Sequence, residues 1–186
     1  RDATSLNLDP YDLIVCDYEP VTSWACKARG RETIGIGHQY AFGKKTPITG
    51  DTPMSRLVMQ QFAPVDVPVG LHWAAFDENV LPPILDLPEI DTTAKADHIL
   101  VYLPFESQNV TTAWLQGFYD QSFIQYSPEV CDGVQGNVVR RKANIHGFKR
   151  DLAAAKGVIC NTGFELISEC LPVSYTHLRA HETVED

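Results

Sequence analysis

The sequence predicts an α/β fold made of two parallel-sheet units, and three observations carry that expectation. Short apolar runs alternate with helix-length segments along most of the chain. The alternation stops in a proline-rich stretch near the middle and then starts again. The composition, with 44% hydrophobic, 10% aromatic and 21% charged residues among 186, supplies enough apolar material for a real core. Disorder, a collagen-like chain and a membrane span are excluded on these grounds.

The elements follow in order. YDLIVCD, residues 11–17, is a short apolar run closed by an acid and reads as a buried parallel strand. Pro20, after Glu19, occupies a first helical position, and the segment through Arg29 reads as a helix ended by Gly30. Thr33 to Gly37 supplies the next strand, completing a crossover unit. The polar loop HQYAFGKKTPITGD then lies at a strand's carboxyl end, where open parallel sheets place ligands. SRLVMQQFAP reads as a helix, VPVGLHWAAFD as a strand, and VLPPILDLPEIDTTAKAD as a linker. HILVYLP is the next strand, followed by a helix opened by Ser107 and by the strand SFIQYSP. EVCDGVQGNVVRRK reads as a loop, ANIHGF as a short strand, KRDLAAAK as a helix, GVICN as a strand and GFELISECL as a helix.

Charge and cysteine use narrow the partners. Fifteen Lys and Arg against 24 Asp and Glu give a net charge of −9, which argues against a nucleic-acid surface. Five cysteines form no CxxC pair, so neither a disulfide framework nor a zinc knuckle is indicated, and a reducing, cytoplasmic setting is expected. Residue 1 is Arg and no signal-peptide pattern follows it, so the natural start is expected to lie elsewhere. At the other end, His177 and His181 have the i, i+4 spacing of a helical metal pair. However, VSYTHLRAHET, residues 173–183, resembles the in-frame translation of a transposon-type sequencing-library adapter. Residues 173–186 are therefore expected to be a non-native tail of metagenomic type, and removing them takes the net charge to −7.

The strongest local signal is NTGFELISE, directly after the apolar strand GVIC. A strand that enters a helix through a small-residue turn leaves backbone N–H groups for a phosphate, and Gly163 admits one close to the backbone. Thr162 and Glu165 also fit a capping box. Glu169 lies one turn above Glu165, where a carboxylate accepts from vicinal hydroxyls such as those of a ribose, or else is a solvated helix acid. In the other half Asp17, Glu19, His38 and Gln39 stand beyond two adjacent strand ends, and a histidine near a carboxylate suits a general base. The competing readings are that Asp17 caps the next helix and that His38 only shapes a pocket. Cys16 with His38 reads as a thiolate pair or, more simply, as a buried thiol. Arg140, Arg141 and Lys142 read as a solvated charge run, Trp24 and Trp114 as core, and Asn109-Val-Thr111 as a glycosylation sequon without meaning unless the chain is secreted.

DLIVCDYEP, IGIGHQ, LPPIL, HILVYLPFE, NIHGF and VICNTGFELISE, in this order, resemble a family of bacterial and archaeal GT-B glycosyltransferases related to those acting on UDP-sugars. The resemblance implies two Rossmann-like domains, both incomplete here, with the acceptor on the N-terminal one and the nucleotide-sugar on the C-terminal one. The implied bounds are residues 1–80 for the acceptor-side domain, 81–96 for the linker, 97–172 for the donor domain and 173–186 for the tail. It further implies that Thr162 and Gly163 face the donor phosphates, that Glu169 holds the ribose, and that Phe148 marks backbone contacts to the base. PFES stands after HILVYLP in place of a glycine-rich turn, which gives Ser107 a capping role.

The implied activity is inverting, metal-independent transfer of a sugar, of hexosyltransferase type, from a nucleotide-sugar to an acceptor hydroxyl. No cofactor or metal is called for, and Asp17 and His38 are the catalytic candidates. A lipid acceptor would bring peripheral membrane contact. A nucleotide-sugar epimerase of the same fold and a nucleotide-binding or signalling module using Asp17 remain alternatives. The chain is expected to be the middle of a longer protein and, by itself, inactive.

Overall fold

The computed structural model describes residues 2–43, 45–50, 52–86, 96–161, 163–173 and 176–179. The chain divides into two compact units, Arg1–Ile84 and Leu85–Asp186.

The first unit holds a four-stranded parallel sheet in the order β1-β2-β3-β4. After a short helix α1 (Asp2–Ser5), strand β1 covers only Val15–Cys16. Ile14 and Cys16 are buried while Leu13 and Val15 are exposed, so β1 is an edge strand with one covered face, not the fully buried strand its apolar run predicts. Helix α2 (Pro20–Arg29) starts at Pro20 and ends at Gly30, whose φ of 62° is the left-handed geometry that glycine adopts without steric cost. Strand β2 (Ile34–Gly37) leads into a 3-10 turn at His38–Ala41, inside the stretch expected to be loop. Helix α3 (Pro53–Phe62) is capped by Thr52 through a reciprocal box with Ser55. Strands β3 (Val67–Leu71) and β4 (Val80–Leu81) complete the sheet. The latter takes its residues from the start of the expected linker, so the first unit runs on to Ile84.

The second unit contains a six-stranded sheet in the order β10-β9-β5-β6-β8-β7. All neighbours are parallel except β7 and β8. Strand β5 (His98–Tyr102) is followed by α4 (Gln108–Gln116), β6 (Ser122–Ser127), β7 (Gly133–Gln135) and β8 (Val138–Lys142). Helix α5 (Ile145–Ala154), β9 (Gly157–Cys160), α6 (Phe164–Cys170) and β10 (Thr176–Arg179) follow. Two expectations are corrected here. The stretch 129–142 is a hairpin, closed by Gly136 at φ 59° and Asn137. ANIHGF is the start of a helix, because Asn144 accepts from Gly147 N–H at 2.7 Å as an N-cap. Residues 176–179, in the stretch expected to be a non-native tail, pair with β9 as an edge strand. His181 lies outside the described residues.

Both faces of this sheet are covered. Leu100, Ile124, Tyr126, Val158 and Cys160 pack with Leu152, Ala155 and Cys170 on one face. Val101, Phe123, Val138 and Ile159 pack with Leu103 and Leu115 on the other. Consecutive residues of β5 thus serve opposite faces, as the period of a strand requires. The first face also holds polar groups in a closed network. Tyr126 O–H donates to Asp151 Oδ2 at 2.8 Å, and Arg141 approaches the same oxygen at 3.1 Å. Burial, reinforced by the Asp151 carboxylate, pushes the Tyr126 hydroxyl up to about 12, so it remains a donor at neutral pH.

Candidate functional site

The strand order of the second unit contains a switch point. The chain moves from β5 outward through β6 to β8, then returns to the other side of β5 as β9, so the order reverses between β5 and β9. Open parallel sheets bind ligands outside the carboxyl ends of the strands at such a point. Tyr102 pairs with Cys160 there, so the 103–107 loop and Asn161 leave from neighbouring strand ends. The loop is fixed from beneath. Gln108 Nε2 donates to Leu103 O at 2.8 Å and to Glu106 O at 2.7 Å, while Gln125 Nε2 donates to Gln108 Oε1 at 2.9 Å. Thr112 O–H lies 2.6 Å from Gln125 Oε1, which orients that amide. Ser107 occupies the N-cap position of α4 but its side chain makes no capping bond. The capping role expected for Ser107 is corrected, because its side chain accepts no hydrogen bond from the first turn of α4.

On the facing side, Thr162 lies outside the described residues. Gly163 is exposed and is the N-cap of α6, with no side-chain cap, and the Thr162 half of the expected capping box lies outside the described residues. Asn161 Oδ1 is buried without a hydrogen-bond partner among the described residues. An unpaired buried acceptor costs about 1–3 kcal/mol, which makes it a place for an incoming donor group. Glu169 is largely buried and lies 3.3 Å from the ammonium of Lys149, which also meets Asp86 Oδ2 at 2.8 Å. The Asp86 partner chiefly raises the Lys149 ammonium above its ordinary value, with Glu169 adding to it. The same hydrogen bond lowers Asp86. Phe148 sits in the first turn of α5, edge-on to Tyr102 and Tyr126, and its N–H donates to Asn144 O at 3.0 Å. That N–H is committed to the helix, and no described contact tests the expectation that the backbone at Phe148 meets a base.

In the first unit Asp17, His38 and His72 follow the carboxyl ends of β1, β2 and β3. The register Gly37 to Gly70 brings His38 close to His72, with ring centroids 5.5 Å apart. His38 Nδ1 lies 2.9 Å from Leu71 O, so that nitrogen carries the proton and a neutral ring keeps its lone pair on Nε2. Phe42 packs edge-on to His38, and Phe76 edge-on to His72. Burial, then the neighbouring His38, lowers the affinity of His72 for a proton. His72 escaped the sequence reading, and only the β2–β3 register reveals it.

Asp17 is exposed, and its Oδ1 lies so near Gly37 that a Cβ there would approach to 2.9 Å. The helix-capping role considered for Asp17 belongs to Glu19, whose carboxylate accepts from Val21 N–H at 2.5 Å and Thr22 N–H at 2.8 Å. The backbone bond from Thr22 holds Glu19 below its ordinary pKa. Glu19 is thus engaged as an N-cap, while Gln39 is exposed beside His38. Tyr18, between the two acids, has φ 45°, a strained value for a bulky residue, and its hydroxyl donates to Met59 O at 2.9 Å. Cys16 is buried with its thiol 3.1 Å from Glu19 O, which makes it structural rather than the partner of His38.

Three further expectations change. Trp24 and Trp114 are 39% and 52% exposed, so neither is core. Arg141 is paired with Asp151, so the charge run is only partly solvated. Arg140 and Arg141 line a cavity of about 320 Å³ with Asp132, Gly133, Val134 and Asn144.

Comparison with known proteins agrees with the family suggested by the motifs. Residues 8–179 match the family described as Glycosyl transferase family 1. No curated protein matches the chain. Among solved structures, the glycosyltransferase SnogD from Streptomyces nogalater is similar at 13% identity with a TM-score of 0.44, covering 90% of this chain and 55% of that one. The chain thus spans about half the length of that protein. With nearly its whole length matched, the chain belongs to glycosyl transferase family 1.

Proposed function

We propose that the protein transfers a hexosyl group from a UDP-sugar to an acceptor hydroxyl, with inversion and without a metal ion. The observation that carries the donor half is the reversal of strand order between β5 and β9, with Gly163 at its mouth and Glu169 on the helix that follows. In this reading the diphosphate meets the backbone at Thr162 and Gly163, and Glu169 accepts from the ribose hydroxyls. Asn161 Oδ1 offers a further acceptor beside them.

On the acceptor side His38 is the base and Asp17 its acidic neighbour, with His72 completing the wall. His38 takes the acceptor proton at Nε2, the freed oxygen bonds to the anomeric carbon, and the bond from that carbon to the diphosphate oxygen breaks. The electron pair leaves with the diphosphate, where the positive end of the α6 dipole stabilises the new charge. Its setting is proposed as cytoplasmic, consistent with five free cysteines, four of them buried. Among the described residues no helix is long and apolar enough to cross a membrane. A lipid acceptor would require only peripheral contact.

Isothermal calorimetry on the 186-residue chain tests the donor half. UDP is expected to bind, and Glu169→Ala to weaken it about tenfold or more, since hydrogen bonds to a charged group contribute about 1.5–3 kcal/mol. Equal affinity in a folded variant would remove Glu169 from the site.

A further inference from the structure

The ammonium of Lys149 has three N–H groups and meets three acceptors, Asp86 O, Asp86 Oδ2 and Glu169 Oε1. Its side chain is 16% exposed and that of Glu169 is 17% exposed, so both charges are largely withdrawn from water. Asp86, by contrast, is 86% exposed at the side chain and reaches in from the start of the second unit. A single solvated helix acid would sample several rotamers. Glu169 is instead held across the gap from α6 to α5, while Glu165, one turn earlier, is exposed with no such partner shown.

We propose that Lys149 is a positioning residue for the nucleotide: it fixes one carboxylate oxygen of Glu169 and leaves the other to accept from the vicinal hydroxyls of a ribose. The inference rests on the donor-site reading of Glu169 and adds a physical reason for its selectivity. A carboxylate held before the ligand arrives loses little rotamer entropy on binding, so its two hydrogen bonds appear more fully in the affinity. Asp86 steadies the ammonium from the far side and does not touch the ligand in this scheme.

The test is a ratio of affinities. Calorimetry on the full chain compares the tightest binder among UDP, GDP and ADP with its 2′,3′-dideoxy analogue, which lacks the hydroxyls and keeps the base and phosphates. Wild type is expected to prefer the ribose form by about tenfold or more. Lys149→Met is expected to bring that ratio close to one with little change for the dideoxy ligand, and Lys149→Arg to restore part of it. A general structural defect would weaken both ligands alike. Asp86→Ala, at an exposed residue that threatens no core, is expected to lower the ratio about two- to threefold, which keeps the test alive if Lys149→Met does not fold.

The outcomes separate the two claims. If wild type binds none of the three diphosphates, or binds both forms equally, the ribose role of Glu169 fails and takes the role of Lys149 with it. If Glu169→Ala abolishes the preference while folded Lys149→Met and Asp86→Ala retain it, the donor site stands and Lys149 is only a staple between helices.

Discussion

The two units solve the same problem, covering a parallel sheet, by opposite means. The second unit fills both faces with branched and aromatic side chains, and five of the six residues of β6 are buried. The first unit has one small cluster, Leu8, Ile14, Ala25 and Cys26, and a helix α3 without a buried residue. Beside that cluster, the 3-10 turn after β2 comes close to the strands. A Cβ on Gly35 would lie 2.6 Å from the Tyr40 ring, and one on Gly70 only 2.5 Å from Ala41 Cα. The glycines of IGIG and VPVGL thus let the 3-10 turn that carries His38 lie directly on β2 and β3. Side-chain volume holds the sheet of the second unit, and the lack of a Cβ at Gly35 and Gly70 lets the turn at His38 lie close to the sheet of the first.

Emptying the second core should have the largest effect. Leu100 is fully buried in the centre of β5, and Leu100→Ala is expected to destabilise the unit by about 3–4 kcal/mol through lost burial and a residual cavity. Denaturant unfolding followed by hydrogen exchange would resolve the units, since a chain of two units need not unfold in one step. The loss should fall on β5, β6 and β9 amides and spare those of β2 and β3. A uniform loss over both units would contradict the comparison.

Filling a gap in the first unit should cost less but reach the site. Gly70→Ala sets a methyl against Ala41 backbone, which cannot rotate aside, so about 2–3 kcal/mol of overpacking cost is expected. Because the 3-10 turn begins at His38, the same change should alter the His38 and His72 ring resonances in an NMR spectrum. Stability equal to wild type with unmoved histidine signals would show that the turn does not depend on this close approach.

Periodicity and punctuation made most elements legible. Glu19-Pro20 and Gly30 bracket α2 as read, and the apolar runs of β5, β6 and β9 lie where expected. NIHGF misled because Ile145 and Phe148 suggest a strand, whereas Gly147 is needed where a Cβ would come within 3.0 Å of Tyr126 O–H. The β7–β8 hairpin was hidden by the charges of Arg140, Arg141 and Lys142, although Gly136-Asn137 between Val134 and Val138 was its signal. At the sites, single residues were legible and partnerships were not. Lys149 meets Glu169 across two helices, and His72 meets His38 only through strand register. No spacing in the chain encodes either pair.

The smallest predicted effect tests that histidine pair. Burial and the nearby His38 depress the native proton affinity of His72, so between its unfolded value near pH 6.5 and its lower native value the unfolded chain binds more protons. Its contribution to stability is then complete above about pH 6.5 and is lost as pH falls through the native value. Wild type should therefore lose stability on acidification from about pH 7.5 to about pH 5.5. His72→Gln should lose less, by a margin well below the effect of Gly70→Ala. Denaturant midpoints of both proteins at the two pH values isolate the term, because the other histidines titrate in both and cancel in the difference. Parallel pH profiles would mean that His72 is not held neutral by its surroundings. The end of β3 would then lack the electrostatic feature that marks it as more than a scaffold.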